Sequence, residues 1–223
     1  MKKLVITIDG PAGSGKSTVS RLIAERLGIL YLDTGAMYRA AALQAQRMGI
    51  DFNDGQGLFN MCMALDLRFI PNGNSQTILL GNEDITAVIR SPEMDMLASR
   101  ISAVKEVREA MMMLQRKVGM TGALVAEGRD MGTVVFSDAE YKFFVTASIP
   151  ERARRRHLER IGRGESISIE KVEEEMKKRD TQDSGRAIAP LRPADDAEII
   201  DTTGIGIEQV IDRIINKIHK NNY

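Results

Sequence analysis

The residues with the clearest chemical meaning are Gly10, Pro11, Ala12, Gly13, Ser14, Gly15, Lys16, Ser17 and Thr18. The first eight fit the pattern G-x-x-x-x-G-K-[ST] without a mismatch. Glycines in such a loop let successive backbone N–H groups turn inward onto phosphate oxygens. A helix starting behind the loop adds free N–H groups and the positive end of its dipole. Lys16 places a compact charge on the β- and γ-phosphates, and the Ser17 hydroxyl is suited to ligate Mg²⁺. Gly10 to Thr18 are therefore candidate ATP contacts, and Lys16 is a candidate catalytic residue. Mg²⁺ is expected to arrive with the nucleotide, because no cluster in the sequence has metal-ligand spacing.

The second group of chemical residues is cationic. Arg152, Arg155, Arg156 and Arg160 recur at three- and four-residue spacing, which places them along one helix face. Arg163, Arg179, Arg186 and Arg192 follow. An enzyme that moves a phosphoryl group must neutralise two anions while excluding water as acceptor, and this cluster is suited to that task. The alternative is a solvated charged face with Glu151 and Glu159 as partners. Gly128, Arg129, Asp130, Met131 and Gly132 form a third signal. A charged pair between glycines, just past an apolar strand, suggests close approach to a ligand; the alternative is a surface turn. A GTPase-type switch fits poorly. The D-x-x-G form at Asp201–Gly204 lies near the end of the chain rather than shortly after the phosphate loop, and Asn216, Lys217, Ile218 and His219 fail the N-K-x-D pattern at the fourth place. A nucleic-acid motor is disfavoured by the small size of the chain and its lack of basic bias.

These residues need elements to hold them. Residues 4–8 are a short apolar run with β-branched members, which predicts a buried parallel strand ending at Asp9. Residues 17–27 have helical spacing and stop at Gly28. A strand at 29–32, a helix at 35–48 closed by Gly49, and a helix at about 54–65 follow. Alternation at 65–69, turn chemistry at 71–75 and a return at 78–80 predict an antiparallel insert of about thirty residues. Ser91 and Pro92 read as a helix start, with helices continuing to about Gly119. Strands are expected at 123–126 and 142–146. Ser148 and Glu151 fit a capping box opening the arginine-rich helix. A helix at 169–179, a short strand around Ile199 and Ile200, and an amphipathic helix at 207–218 complete the chain. Strands alternating with helices predict an α/β fold, a parallel sheet of about five strands covered on both faces.

Composition narrows the rest. The chain has 223 residues, enough for one domain with insertions. It carries 31 basic and 31 acidic residues, so phosphate binding must come from local clustering rather than global charge. One cysteine, Cys62, allows no intrachain disulfide and fits a reducing cytoplasm. No signal peptide or membrane span is legible, and the few aromatics argue against a stacking platform for single-stranded nucleic acid. Cys62 is read as core, His157 and His219 as surface, and the 13 methionines as adaptable packing.

Residues 6–18, 32–39, 107–110, 127–136 and 179–191 together resemble the bacterial cytidylate kinases, nucleoside monophosphate kinases of the P-loop class. The run from Glu127 to Phe136 is far more specific than the phosphate loop. The antiparallel insert also resembles the one that separates this family from shorter relatives. The resemblance implies transfer of the γ-phosphoryl group of ATP to CMP or dCMP in pyrimidine metabolism, in a cytoplasmic monomer acting on neither nucleic acid nor membrane. It implies that Thr34, Tyr38 and Arg39 open the monophosphate region, and that Arg39, Arg129 and Arg186 hold the acceptor phosphate. Ser99, Arg108 and Asp130 would read cytosine, and Arg179 and Asp183 the sugar. Arg129, Arg186 and Arg156 join Lys16 as candidate catalytic residues, and Arg152 and Arg155 as ATP contacts. Thr34 stands where some members have Ser, and Glu127 where Asp also occurs; its role is left open. The expected organisation is a core (1–33, 105–148, 166–223), a monophosphate-binding region (34–104) and a lid (149–165). A kinase for another monophosphate or small metabolite, or a nucleotide switch, are the alternatives.

Overall fold

The computed structural model describes residues 4–72 and 75–220. They form two compact units, one from the chain up to Leu32 together with the chain from Thr121 on, the other Asp33–Met120.

The first unit is built on a five-stranded sheet: β1 (Val5–Asp9), β2 (Leu30–Asp33), β6 (Leu124–Gly128), β7 (Tyr141–Thr146) and β8 (Glu198–Asp201), in the order β2-β6-β1-β7-β8. β1 runs parallel to both neighbours, with Asp9 opposite Gly128 on one side and Phe144 on the other. The carboxyl ends of β1 and β6 are therefore flush, and the segments after Asp9 and Gly128 leave the sheet side by side, where α/β sheets bind ligands. α1 (Lys16–Leu27) and α8 (Ile207–Lys220) cover the sheet. Val19, Ile23 and Ala24 of α1 and Val210, Ile211, Ile214 and Ile218 of α8 join Ile6, Ile8, Val125, Phe143 and Val145 in one core. Each large aliphatic buried there is worth about 1.5–3 kcal/mol. α6 (Ile149–Gly162) and α7 (Ile169–Ser184) pack through a smaller cluster of Ala153, Val172 and Met176, with Ala12 of the phosphate loop against it.

The second unit contains α2 (Thr34–Met48), α3 (Gly55–Met63), α4 (Pro92–Ile101) and α5 (Lys105–Gly119), with an antiparallel sheet of β3 (Leu67–Asn72), β4 (Ser75–Leu80) and β5 (Glu83–Asp84). Asp33 and Asp54 cap α2 and α3 by accepting from Ala36 N and Gly57 N. Small Ala36 and Ala40 let α2 lie close to Ile78, Ile85, Ile89 and Met94.

The fold class, parallel sheet and antiparallel insert match the sequence reading. The insert has a third strand, β5, too short to leave a pattern. Its expected turn falls partly on 73–74, outside the described residues. One local expectation fails. Ser148 caps no amide with its side chain; Glu151 instead accepts from Arg154 and Arg155 at 2.8–2.9 Å, so the capping box is outcompeted by charge. Residues Met131–Val135, for which no element was predicted, form a π-helical turn.

Candidate active site

The phosphate loop runs from β1 into α1, which begins at Lys16. Two of its glycines have no room for a side chain. A Cβ on Gly10 (φ +153°) would lie 2.0 Å from the Val145 carbonyl oxygen, and one on Gly13 (φ +73°) 2.8 Å from Met176 Cε. Lys16 is buried and donates to the Pro11 carbonyl at 3.2 Å. Burial, and then the Arg129 guanidinium, pull its ammonium down to about 7, against the pull of Glu127. A polyanion bound in the loop would reverse that balance. Ser17 Oγ donates to Glu127 Oε1 at 2.5 Å, Tyr31 donates its hydroxyl to Glu127 Oε2 at 2.5 Å, and Lys16 Nζ lies 3.9 Å from Oε1. A hydroxyl and a carboxylate side by side at the mouth of a phosphate loop are the hard oxygen donors that suit Mg²⁺ held together with phosphates.

Beside this loop lie the charged residues that follow β6 and end α7. Asp183, buried, accepts from Arg129 Nε at 2.9 Å through one oxygen and from Arg186 Nη2 at 2.8 Å through the other. Burial alone would raise its carboxyl, but Arg129, Arg186 and Arg179 overcome that and hold it below its ordinary range. The charges of Arg129 and Arg179 also act on Lys16. Asp130 is 3% exposed. The segment carrying Arg186 is closed by Leu191 N donating to the Asp183 carbonyl at 2.9 Å, and within it Ala189 takes a left-handed φ of 49°. A non-glycine residue there stores strain of the kind found at functional sites.

The arginines of α6 divide into two sets. Arg152, buried, donates to the carbonyls of Ala147 (2.9 Å) and Ala12 (3.2 Å) and to Asp180 of α7 (2.6 Å). Arg155 donates to the Ser14 carbonyl (3.3 Å), the Thr202 hydroxyl (2.9 Å) and the Thr202 carbonyl (2.8 Å). Both turn inward onto the phosphate loop. Arg156 and Arg163 instead pair with Glu159, and Arg160 with Glu165 and Glu175. For these the glutamate-paired face describes what is seen. Arg192 is exposed, 3.6 Å from Asp195. His157 is half-buried and bonds the Ile167 carbonyl at 3.0 Å rather than lying free on the surface; His219 is exposed and Cys62 buried, as expected.

In the second unit, Thr34 is the first residue of α2, and Tyr38 and Arg39 lie one turn on. Arg39 stands 3.6 Å from both Asp33 and Asp95. Arg108, buried on α5, donates to the Ser102 carbonyl at 3.3 Å, with its guanidinium 5.9 Å from the centre of the Tyr38 ring. Ser99 Oγ on α4 is buried with no hydrogen-bond partner in the structure. Tyr38, Arg39 and Arg108 thus form one polar group on α2 and α5, with Thr34 at the start of α2 and Ser99 on α4. Arg129, Asp130, Arg179, Asp183 and Arg186 form another around the phosphate loop.

Sequence reasoning left Glu127 without a role and passed over Asp9, Tyr31 and Thr202. Thr202, read as part of a plain turn after the last strand, is buried and donates to the Ser14 and Thr146 carbonyls. Only the position of Glu127 at the end of an apolar strand carried a signal in advance.

Comparisons with known proteins point to one family. The family model described as cytidylate kinase matches residues 6–220. The cytidylate kinase of Citrifermentans bemidjiense is 49% identical over 209 residues, 94% of this chain and 90% of the relative. That of Geobacter sulfurreducens is 47% identical over 211 residues, 95% of this chain and 91% of the relative. Among solved structures, an uncharacterized protein from Eubacterium ventriosum has a TM-score of 0.56 at 14% identity, covering 97% of this chain and 99% of its own, which is a likeness of fold. With a complete phosphate loop, a family model matched over residues 6–220 and relatives at 47–49% identity matched along nearly their whole length, this chain belongs to the cytidylate kinase family.

Proposed function

We propose that the protein transfers the γ-phosphoryl group of ATP to CMP or dCMP, giving ADP and CDP or dCDP. One observation carries this reading: at the carboxyl end of a single sheet, Lys16 of the phosphate loop stands 3.9 Å from Glu127 near the end of β6, and two residues further on Arg129 shares the buried Asp183 with Arg186. Cations for the donor and acceptor phosphates converge where the transfer must occur. An oxygen of the acceptor phosphate attacks the γ-phosphorus, the bond to the β–γ bridging oxygen breaks, and ADP leaves with the electron pair. The acceptor phosphate is already a nucleophile, so positioning and charge neutralisation carry catalysis.

The donor base has a place to go. A cavity of about 320 Å³ beside the phosphate loop is lined by Thr18, Val19, Arg155, Thr202, Ile207 and Val210, polar and apolar side chains together. Mg²⁺, held by Ser17 and Glu127 with the nucleotide, would supply charge neutralisation across the phosphates. On the acceptor side, a carboxylate (Asp130) and a guanidinium (Arg108) complement cytosine, which offers an amino donor beside acceptor atoms. Arg39, Arg129 and Arg186 are assigned to the acceptor phosphate, and Arg179 and Asp183 to the sugar. α6 and the residues to 165 serve as the lid. Among the described residues no helix is long and apolar enough to cross a membrane, and a cytoplasmic monomer is the simplest setting for this reaction. A coupled assay of ADP formation with CMP, dCMP, UMP, AMP and shikimate tests the assignment. Turnover that is slow and independent of acceptor overturns it.

A further inference from the structure

Asp9 has no role in the reaction as set out above, yet it is one of the most deeply committed carboxylates in the protein. It ends β1, directly before Gly10, and is 4% exposed. Its two oxygens accept from the backbone amides of Met131 (2.9 Å) and Gly132 (2.8 Å). Those amides open the π-helical turn whose first carbonyl is that of Asp130, which accepts from Val134 N at 2.9 Å and Val135 N at 3.2 Å. The approach is close enough that only glycine fits at 132. A Cβ there would lie 2.9 Å from Thr7 Oγ1, 3.4 Å from Lys142 Cδ and 3.5 Å from Asp9 Oδ2.

Keeping a charge in this place is costly. Burial pushes the Asp9 carboxyl up to about 7, the two amide bonds pull it down, neighbouring Asp130 raises it and Arg129 lowers it. A small apolar residue would fill the strand end without that cost. Two acceptors for backbone amides 122 and 123 positions away in sequence are what the carboxylate provides and an apolar residue does not.

We infer that Asp9 is a positioning residue that ties the phosphate loop to the segment carrying Arg129 and Asp130, so that recognition of the pyrimidine base depends on a side chain at the root of the donor site. This rests on the reading of Asp130 as a base-contacting residue. Asp9 touches no substrate. It fixes the origin of the turn from which Asp130 projects, and its own backbone leads into Gly10, so the two loops share one anchor.

Asp9→Asn keeps the shape but turns an N–H toward one of the two amides, so one bond is lost and one contact becomes donor against donor. Gly132→Ala disturbs the same link from the other side, its Cβ forcing a shift against Thr7 Oγ1, 2.9 Å away, beside the Asp9 carboxylate. A hydrogen bond to a charged group is worth roughly a 10- to 100-fold change in an equilibrium. For both variants kcat/KM with CMP should fall by about that factor, and the CMP-to-UMP ratio should narrow by about tenfold, because a displaced Asp130 discriminates less. The KM for ATP should stay within about threefold of wild type, a split that a general loss of structure does not produce. The experiment is steady-state kinetics with both acceptors at saturating ATP, together with thermal melting, on wild type, Asp9→Asn, Gly132→Ala and Asp130→Ala; Gly132→Ala decides the matter if Asp9→Asn does not fold. If Asp130→Ala narrows the ratio while folded Asp9→Asn and Gly132→Ala keep it at the wild-type value, the tether is wrong and the base reading stands. If Asp130→Ala also keeps the wild-type ratio, the base reading fails and takes this inference with it.

Discussion

Asp183→Asn is the substitution from which the most can be worked out in advance. The wild-type carboxylate divides its two oxygens between Arg129 and Arg186. The asparagine has the same outline but one acceptor and no charge, so both guanidinium groups lose the Asp183 carboxylate. Removing one partner of a buried ion pair costs about 3–5 kcal/mol, whereas an exposed pair is worth about 0–1 kcal/mol. The side chains here are 6% exposed for Asp183, 17% for Arg129 and 9% for Arg186. The buried regime applies, at its lower edge because one acceptor survives, so about 3 kcal/mol is expected. At about 2–4 °C per kcal/mol for a chain of this size, Tm should drop by about 6–12 °C. The sign with pH follows from linkage. The folded-state carboxyl lies below its ordinary value of 3.8, so its contribution is present above that value and is lost as pH falls through the folded-state pKa. The wild type should lose its advantage over Asp183→Asn on acidification below about pH 4. CMP brings an anion to the same arginines, so it should raise the Tm of the variant more than that of the wild type. Scanning calorimetry from pH 3 to 8, with and without CMP, reads all three effects. A variant melting within 2 °C of wild type at pH 7 would show that the two arginines do not depend on Asp183, and the account of this cluster would fail.

Lys16→Ala should lower kcat by about 10²–10³ while the protein still melts cooperatively; a folded variant with near wild-type kcat would remove Lys16 from the transfer. Arg108→Ala and Asp130→Ala should each reduce kcat/KM for CMP more than for UMP, because buried polar groups reject a base that leaves them unpaired, and an unchanged CMP-to-UMP ratio in both would sink that assignment. Hydrogen exchange across 150–165 should slow when a bisubstrate analogue binds, whereas unchanged exchange despite proven binding would mark a rigid solvated helix. Cys62 is buried, and burial pushes its thiol up to about 12; alkylation by iodoacetamide should therefore track global unfolding, and rapid modification of the native protein would contradict its place in the core.

The sheet was legible in the sequence because its strands are short apolar runs, and the phosphate loop because its chemistry demands fixed residue types at fixed spacing. Helix stops at Gly28 and Gly49 were legible for the same reason; Ile29 N and Ile50 N close back onto the Ala24 and Ala45 carbonyls. What stayed hidden depends on pairs far apart in the chain. Nothing around Asp9 announces the amides of Met131 and Gly132, and nothing around Thr202 announces Ser14. The Ser148 capping box failed for a related reason. A local motif assumes that Glu151 has no better partner, and two arginines three and four residues on are better partners. Nor could periodicity divide the arginines of α6: Arg152 and Arg156 are four residues apart, but one is committed inward to carbonyls and the other to Glu159.

The anchoring of Arg152 also sets a mechanical limit. Its guanidinium fastens the first turn of α6 to the Ala12 carbonyl and to Asp180, and Met176 of α7 rests where a side chain on Gly13 would be. The root of the helix pair is thus riveted to the floor of the donor loop, so in the lid proposed above residues 149–155 would stay with the phosphate loop, and the outer part up to Gly164, which takes a φ of 83°, would carry the motion.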